Sequence, residues 1–157
     1  MGEKSARTGS LEGRGITVAV IAARYNVRIT ERLLEGALDV LSEHGASADP
    51  VLWVPGCLEL PITAQAVVET GGADAVVALG CVIRGETTHH EHVGGQCAAG
   101  LMQVSLDSGI PIAFGVLTTN DHAQALARAD KGREAAETAL EMANLLRALQ
   151  RGSVDDV

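Results

Sequence analysis

The segment Arg84-Gly85-Glu86-Thr87-Thr88-His89-His90-Glu91-His92 gathers a cation, a glycine, hydroxyls, carboxylates and three histidines into one short stretch. It follows a buried-looking apolar run at residues 75–79 and leads into a long helical pattern. Open α/β sheets bind their ligands at such a turn, beyond the carboxyl end of a strand. The first amides of the following helix lack intrahelical partners and carry the positive end of its dipole, which makes an anion site. Thr88 with Glu91 three residues on reads as a capping box, so the helix is expected to begin at about His89. A titratable imidazole therefore stands beside a phosphate-sized cradle, an arrangement suited to proton transfer on a phosphorylated substrate.

The elements that must position this turn are legible from periodicity. Residues 16–21 form a β-branched run of strand length. Thr30 is expected to cap a helix through His44, with Leu33, Leu34, Ala37, Leu38 and Leu41 on one face and Gly45 beyond its end. Residues 51–54 read as a short strand, broken by Pro55-Gly56, and residues 58–69 as a helix with Pro61 in its first turn. Residues 75–81 and 110–116 give two more strands, separated by a helix over 89–107 that carries Val93, Cys97, Leu101, Val104 and Leu106 inward. A short helix over 121–128 and a longer one over 131–151 follow. Residues 1–14 have little periodicity and are expected to form a flexible arm or a short edge strand. Strands alternating with helices, each strand apolar on both faces, predict an α/β three-layer sandwich. Its four parallel strands take the flavodoxin-like order 2-1-3-4, which sets the ends of strands one and three side by side.

At 157 residues the chain reads as one domain, 1–157, large enough to bury a core without disulfides or metals. A net charge of −8 argues against nucleic acid or an anionic membrane as the main partner, while leaving room for one basic pocket. Cys57, Cys81 and Cys97 are odd in number and form no CxxC pair, so they read as reduced thiols of a cytoplasmic protein. No apolar run reaches the length of a membrane span. The three aromatic residues, Tyr25, Trp53 and Phe114, are expected at or near carboxyl ends of strands, where a planar ligand could stack; packing is the plainer account of any one of them.

Five stretches in order, ARYNVRITERLLEGAL, VPGCLELP, ALGCVIRGETTHHEHV, VSLDSGIPIAFGVLTTN and KGREAAETALEMANLL, resemble the lumazine synthase family from about Ser10 to Leu149. The resemblance implies a transferase of riboflavin biosynthesis. It condenses 5-amino-6-ribitylaminouracil with 3,4-dihydroxy-2-butanone 4-phosphate to 6,7-dimethyl-8-ribityllumazine, releasing phosphate and water. It implies no metal and no organic cofactor. It implies pentamers, or pentamer-based shells, with sites between subunits and small molecules as the other partners.

Residue by residue, the resemblance makes His89 the proton carrier and gives the phosphate ketone to Glu86, Thr87 and Arg128, the last acting on the neighbouring subunit's site. Tyr25 matches the position that stacks on the pyrimidinedione. Cys57, Leu58 and Glu59 match the turn that holds the ribityl chain and ring edge. Cys81, Val82 and Ile83 match a strand end whose backbone reads the ring, and Phe114 matches a further wall position; Asn26 lies next to this group. Lys131 is a candidate second phosphate ligand, though a surface lysine at a helix start is the plainer account.

The chain departs from the family where Thr88-His89-His90-Glu91-His92 replaces the common Pro-His-Phe-Asp-Tyr, where Leu58 replaces a common Phe, and where only Ala129-Asp130 separates Arg128 from Lys131-Gly132. His90 and His92 are expected to be exposed helix residues. A zinc site on His89 and His92, one helical turn apart, lacks the third and fourth ligands it needs. No dinucleotide or Walker pattern is present. Two other readings compete with the transferase. One is a catalytically silent relative that binds flavin or lumazine or builds shells. The other is a riboflavin synthase of the same fold, which needs no phosphate ligands.

Overall fold

A computed structural model describes residues 6–152. The expectation for residues 1–14 falls partly outside that range; residues 6–13 carry no helix or strand. The elements run β1 (Thr17–Ala23), α1 (Val27–Glu43), β2 (Ser47–Val54), a 3-10 turn (Cys57–Glu59), α2 (Leu60–Glu69), β3 (Ala75–Ile83), α3 (His89–Ser108), β4 (Ile112–Thr119), α4 (His122–Ala127) and α5 (Lys131–Gln150). The sheet is parallel throughout, in the order β2-β1-β3-β4. This is the flavodoxin-like α/β sandwich that the alternation of elements predicts.

Two apolar layers flank the sheet. On one face Val18, Val20, Ala22, Val77 and Leu79 meet Ile29, Leu33 and Val40 of α1 and Ala136 and Leu140 of α5. On the other face Ala19, Ile21, Val76 and Ala78 meet Leu60 and Ala64 of α2 and Cys97 and Leu101 of α3. The core is aliphatic, as a chain with one Trp, one Tyr and one Phe requires.

Helix α5 crosses α1 at Gly132, where a side chain would run into the Leu33 carbonyl. Arg133 reaches back to Glu43 at 2.9 Å and fixes the same crossing at its rim. Asp74 accepts from the Thr17 amide at 2.8 Å and pairs with Arg147, tying the amino edge of the sheet to the last helix. Residues 9–12 run against α5, where Gly9 lies on Glu141 and the Asn144 amide donates to the carbonyls of Ser10 and Glu12.

Several local expectations are corrected. Helix α1 starts at Val27, not behind a Thr30 cap. Thr30 lies inside the first turns, buried, with its hydroxyl unpartnered, and Asn26 holds the cap position in the left-handed region (φ 59°). The helix expected over 58–69 splits into the 3-10 turn and α2, although Pro61 does fall in the first turn of α2. Leu106 faces solvent at 75% exposure instead of pointing inward. Strand β2 begins at Ser47 and lies at the sheet's edge, so its residues are mostly exposed and it is not apolar on two covered faces. Pro50, which offers no amide to a ladder, falls where the pairing with β1 is irregular, between Ala48 and Val51.

Candidate active site

The ends of β1, β2 and β3 are stitched together just where the sheet order reverses. Arg24 and Tyr25 donate their amides to the carbonyls of Val54 and Pro55, which locks the turn after β1 onto the turn after β2. The Tyr25 ring lies against Gly56 so closely that a Cβ there would stand 2.8 Å from its edge. Glu59 folds back, and its Oε2 accepts from the Gly56 amide at 2.9 Å. One carboxylate oxygen is thus engaged in the turn, and Oε1 is left for a hydroxyl-bearing ligand. Asn26, in its left-handed conformation, donates Nδ2–H to the Cys81 carbonyl at 2.9 Å and joins β1 to β3.

That bond decides which backbone groups of β3 remain open. Strand β1 pairs with β3 only as far as Leu79, and Asn26 occupies the Cys81 carbonyl beyond it. Backbone groups alternate sides along a strand. Because the Arg84 amide points to Thr119 on the β4 side, the amide and carbonyl of Ile83 point to the β1 side, above Asn26 and free of that ladder. Ile83 is therefore the position on this strand end best placed to meet the polar edge of a planar ring. Below it, Cys57 sits under the sheet because Gly80 has no side chain: a Cβ there would stand 2.5 Å from the Cys57 sulfur.

The turn from β3 into α3 presents a run of unclaimed donors. Among the described residues, no internal acceptor meets the amides of Gly85, Glu86, Thr87 or Thr88. The expected capping box does not form, since Thr88 makes no side-chain cap. Thr87 takes over, its hydroxyl oxygen accepting from the His89 amide at 3.3 Å, which leaves the hydroxyl hydrogen free to donate. His89 is the first residue of α3 and is exposed, as is Glu86. His92 is exposed as expected, whereas the His90 side chain is only 20% exposed and its Nδ1 lies 3.1 Å from the Thr87 carbonyl.

The remaining candidates do not join this cluster within one chain. Phe114 pairs with Ala78, three to five residues below the Cys81–Ile83 end of β3, which is roughly 10–17 Å along the strands. It is thus not at a carboxyl end, which corrects the expectation for the aromatics, and its ring is 42% exposed. Arg128 ends α4 on the β4 side and anchors Nη1 to the Gln124 carbonyl, with the rest of its guanidinium exposed. Lys131 spends its ammonium on Glu134 at 2.7 Å, one helical turn away.

A cavity of about 500 Å³ lies elsewhere, in the groove between α2 and α3. It touches Leu58 at one end, but its charged walls are Glu69 and Asp107 with no cation, so it is unsuited to a phosphorylated ligand. Burial pushes the Cys57 and Cys81 thiols up to about 11 and that of Cys97 to about 12, which keeps all three protonated and non-nucleophilic near neutrality.

Three residues that shape the site are hard to find by pattern. Asn26 acts across 55 positions, Gly80 is significant only because Cys57 lies beneath it, and Gly56 only because Tyr25 lies on it. The one local clue to Asn26 is its residue type, since Asn is the side chain that most readily takes a positive φ outside glycine.

Residues 15–147 match the family model described as 6,7-dimethyl-8-ribityllumazine synthase. The chain is also 50% identical over 141 residues to a 6,7-dimethyl-8-ribityllumazine synthase of Edwardsiella ictaluri (strain 93-146), covering 85% of this chain and 90% of that protein.

Proposed function

This chain belongs to the 6,7-dimethyl-8-ribityllumazine synthase family, and from that premise we propose that its reaction runs on the strand-end cluster with His89 as the proton carrier. The activity is that of a transferase of riboflavin biosynthesis. 5-Amino-6-ribitylaminouracil and 3,4-dihydroxy-2-butanone 4-phosphate condense to 6,7-dimethyl-8-ribityllumazine with release of phosphate and water. The amine attacks the ketone and loses one water to give a Schiff base, phosphate leaves by elimination, and ring closure with loss of a second water completes the product.

The single observation that carries the assignment is the run of four unclaimed amides over Gly85, Glu86, Thr87 and Thr88, with His89 one residue further on. Those donors and the Thr87 hydroxyl suit the phosphate of the ketone. The Glu86 carboxylate would repel that phosphate and contributes through its backbone. The His89 imidazole is then within one residue of the bound anion, in position to take the amine's proton and return it to a leaving oxygen. Tyr25 stacks on the pyrimidinedione, the Ile83 backbone reads its polar edge beside Cys81 and Val82, and Cys57, Leu58 and Glu59 hold the ribityl chain. A silent flavin-binding or shell-building relative has no use for this phosphate cradle, and neither has a riboflavin synthase.

The pocket is completed by a neighbouring copy. Tyr25, Leu58 and Phe114 are 70%, 50% and 42% exposed, a poor fate for apolar side chains unless a partner covers them. Phe114 lies too far down β4 to reach Tyr25 of its own chain. We therefore assign Phe114 and Arg128, with Lys131 as an auxiliary cation, to the adjacent subunit's site in a pentamer or pentamer-based shell. Among the described residues, no helix is long and apolar enough to cross a membrane. The three unpaired thiols fit the reducing cytoplasm as the place of work.

The test is lumazine formation from the two substrates, followed by absorbance and phosphate release, in wild type and His89→Ala. Turnover that falls about a hundredfold in the variant is the expected result for a lost proton carrier. Equal turnover in the two proteins would reassign the proton transfer to another group.

A further inference from the structure

The His90 imidazole, three-quarters or more withdrawn from solvent, touches the very peptide that links the phosphate cradle to the catalytic helix. A carbonyl oxygen can only accept, so the 3.1 Å contact between His90 Nδ1 and the Thr87 oxygen places a proton on Nδ1. The Thr87–Thr88 peptide is trans, as are all described peptides except Asp49–Pro50, so its amide points opposite to its carbonyl. Pulling the Thr87 carbonyl toward His90 therefore turns the Thr88 amide away from the helix and out toward the cradle. The same clasp holds Thr87 where its hydroxyl oxygen receives the His89 amide and its hydroxyl hydrogen stays available.

Thr88 forms no side-chain cap. Around the clasp, the His89 amide donates to the Thr87 hydroxyl at 3.3 Å and the Glu91 amide to the Thr88 carbonyl at 3.0 Å, and neither bond holds the Thr87 carbonyl. Glu91 Oε1 stands 4.0 Å from His90 Nε2, on the far side of the ring from the clasp, and is itself largely exposed.

We propose that His90 is a positioning residue for the phosphate ketone, acting through the Thr87 carbonyl to preset the amides and hydroxyl that receive the phosphate. The proposal rests on the reading of residues 85–88 as the phosphate cradle. His90 itself touches no substrate; it lowers the cost of ordering the turn when the anion arrives.

Three substitutions separate a hydrogen bond from mere bulk. His90→Asn keeps a donor where Nδ1 stands, His90→Gln moves the donor to the place of Nε2, and His90→Phe keeps the ring without a donor. In the assembled enzyme, Phe and Gln are expected to raise the KM of the phosphate ketone roughly three- to tenfold, the loss of one neutral hydrogen bond. The KM of the pyrimidine should stay at its wild-type value, and Asn should bring the ketone KM back toward wild type. If Asn behaves like Phe, or both KM values rise together, the clasp is not what His90 supplies and the proposal is overturned. Thr87→Ala is measured alongside. A raised ketone KM in Thr87→Ala with no effect in His90→Phe would overturn the clasp alone. No effect in Thr87→Ala would overturn the cradle, and the clasp with it.

Discussion

At the scale of single residues, charge and protonation make the sharpest predictions. Arg128→Ala should raise the KM of the phosphate ketone roughly ten- to a hundredfold, as expected for a lost hydrogen bond to a charged group, with little change for the pyrimidine. Steady-state kinetics with each substrate varied in turn checks this, and equal effects on both would count against a phosphate role. The thiols make a second prediction. Burial holds Cys57, Cys81 and Cys97 well above their ordinary 9.0 in the folded chain, so the unfolded chain loses these protons first as pH rises. Their contribution to stability is complete below pH 9 and is lost between 9 and about 11 to 12. Thermal melts should accordingly show Tm falling from about pH 9 upward, and Cys→Ser variants should flatten that slope. The place of His89 at a helix start is legible in the sequence because its signal is local: a strand, a turn and a helix start in one stretch. It misjudged His90, since a residue in the first turn of a surface helix looks solvent-facing until the Thr87 carbonyl is seen beside its ring.

At the scale of elements, small residues set the spacing between layers. Gly132→Ala forces a methyl group against the Leu33 carbonyl, where α5 crosses α1. Overpacking of this kind should cost about 1–3 kcal/mol, measured by denaturant unfolding, while leaving the KM values of the folded fraction nearly unchanged. A substitution that left stability intact would mean that α5 can slide, which the Arg133–Glu43 pair at 2.9 Å argues against. The order and type of every long element could be read from periodicity, because the buried stripes of α1 and α5 and the continuous apolar runs of β1 and β3 are direct imprints of the layers. The element ends were less legible. Helix α1 begins at Val27 because Asn26 is held by a carbonyl on β3, a tertiary cause that overrides the local capping preference of Thr30. The reach of β2 back to Ser47 is hidden for the same kind of reason, since a polar, proline-containing segment counts as strand only because β1 is there to pair with it.

At the scale of the whole molecule, the division of the proposed site between subunits ties activity to assembly. Particles should have a mass that is a multiple of five of the 16.2 kDa chain by light scattering, and dilution or mild denaturant that splits them should abolish lumazine formation in step. Activity in isolated chains would refute the shared site. A mixed assembly tests the same point: at ketone concentrations well below the raised KM of Arg128→Ala, His89→Ala and Arg128→Ala chains, each impaired alone, should regain part of the wild-type rate when co-assembled, because some pockets then draw both functional residues intact from different copies. The aromatic poverty of the chain has an optical consequence here. Its one tryptophan, Trp53, sits on the outer edge strand β2 opposite Ala22, 37% exposed, two residues before the turn that holds Tyr25. Red-edge excitation of this protein therefore illuminates a single spot on the rim of the sheet. A change in its emission colour or quenching as chains gather would report that rim being covered, without a label and without a background from any other indole.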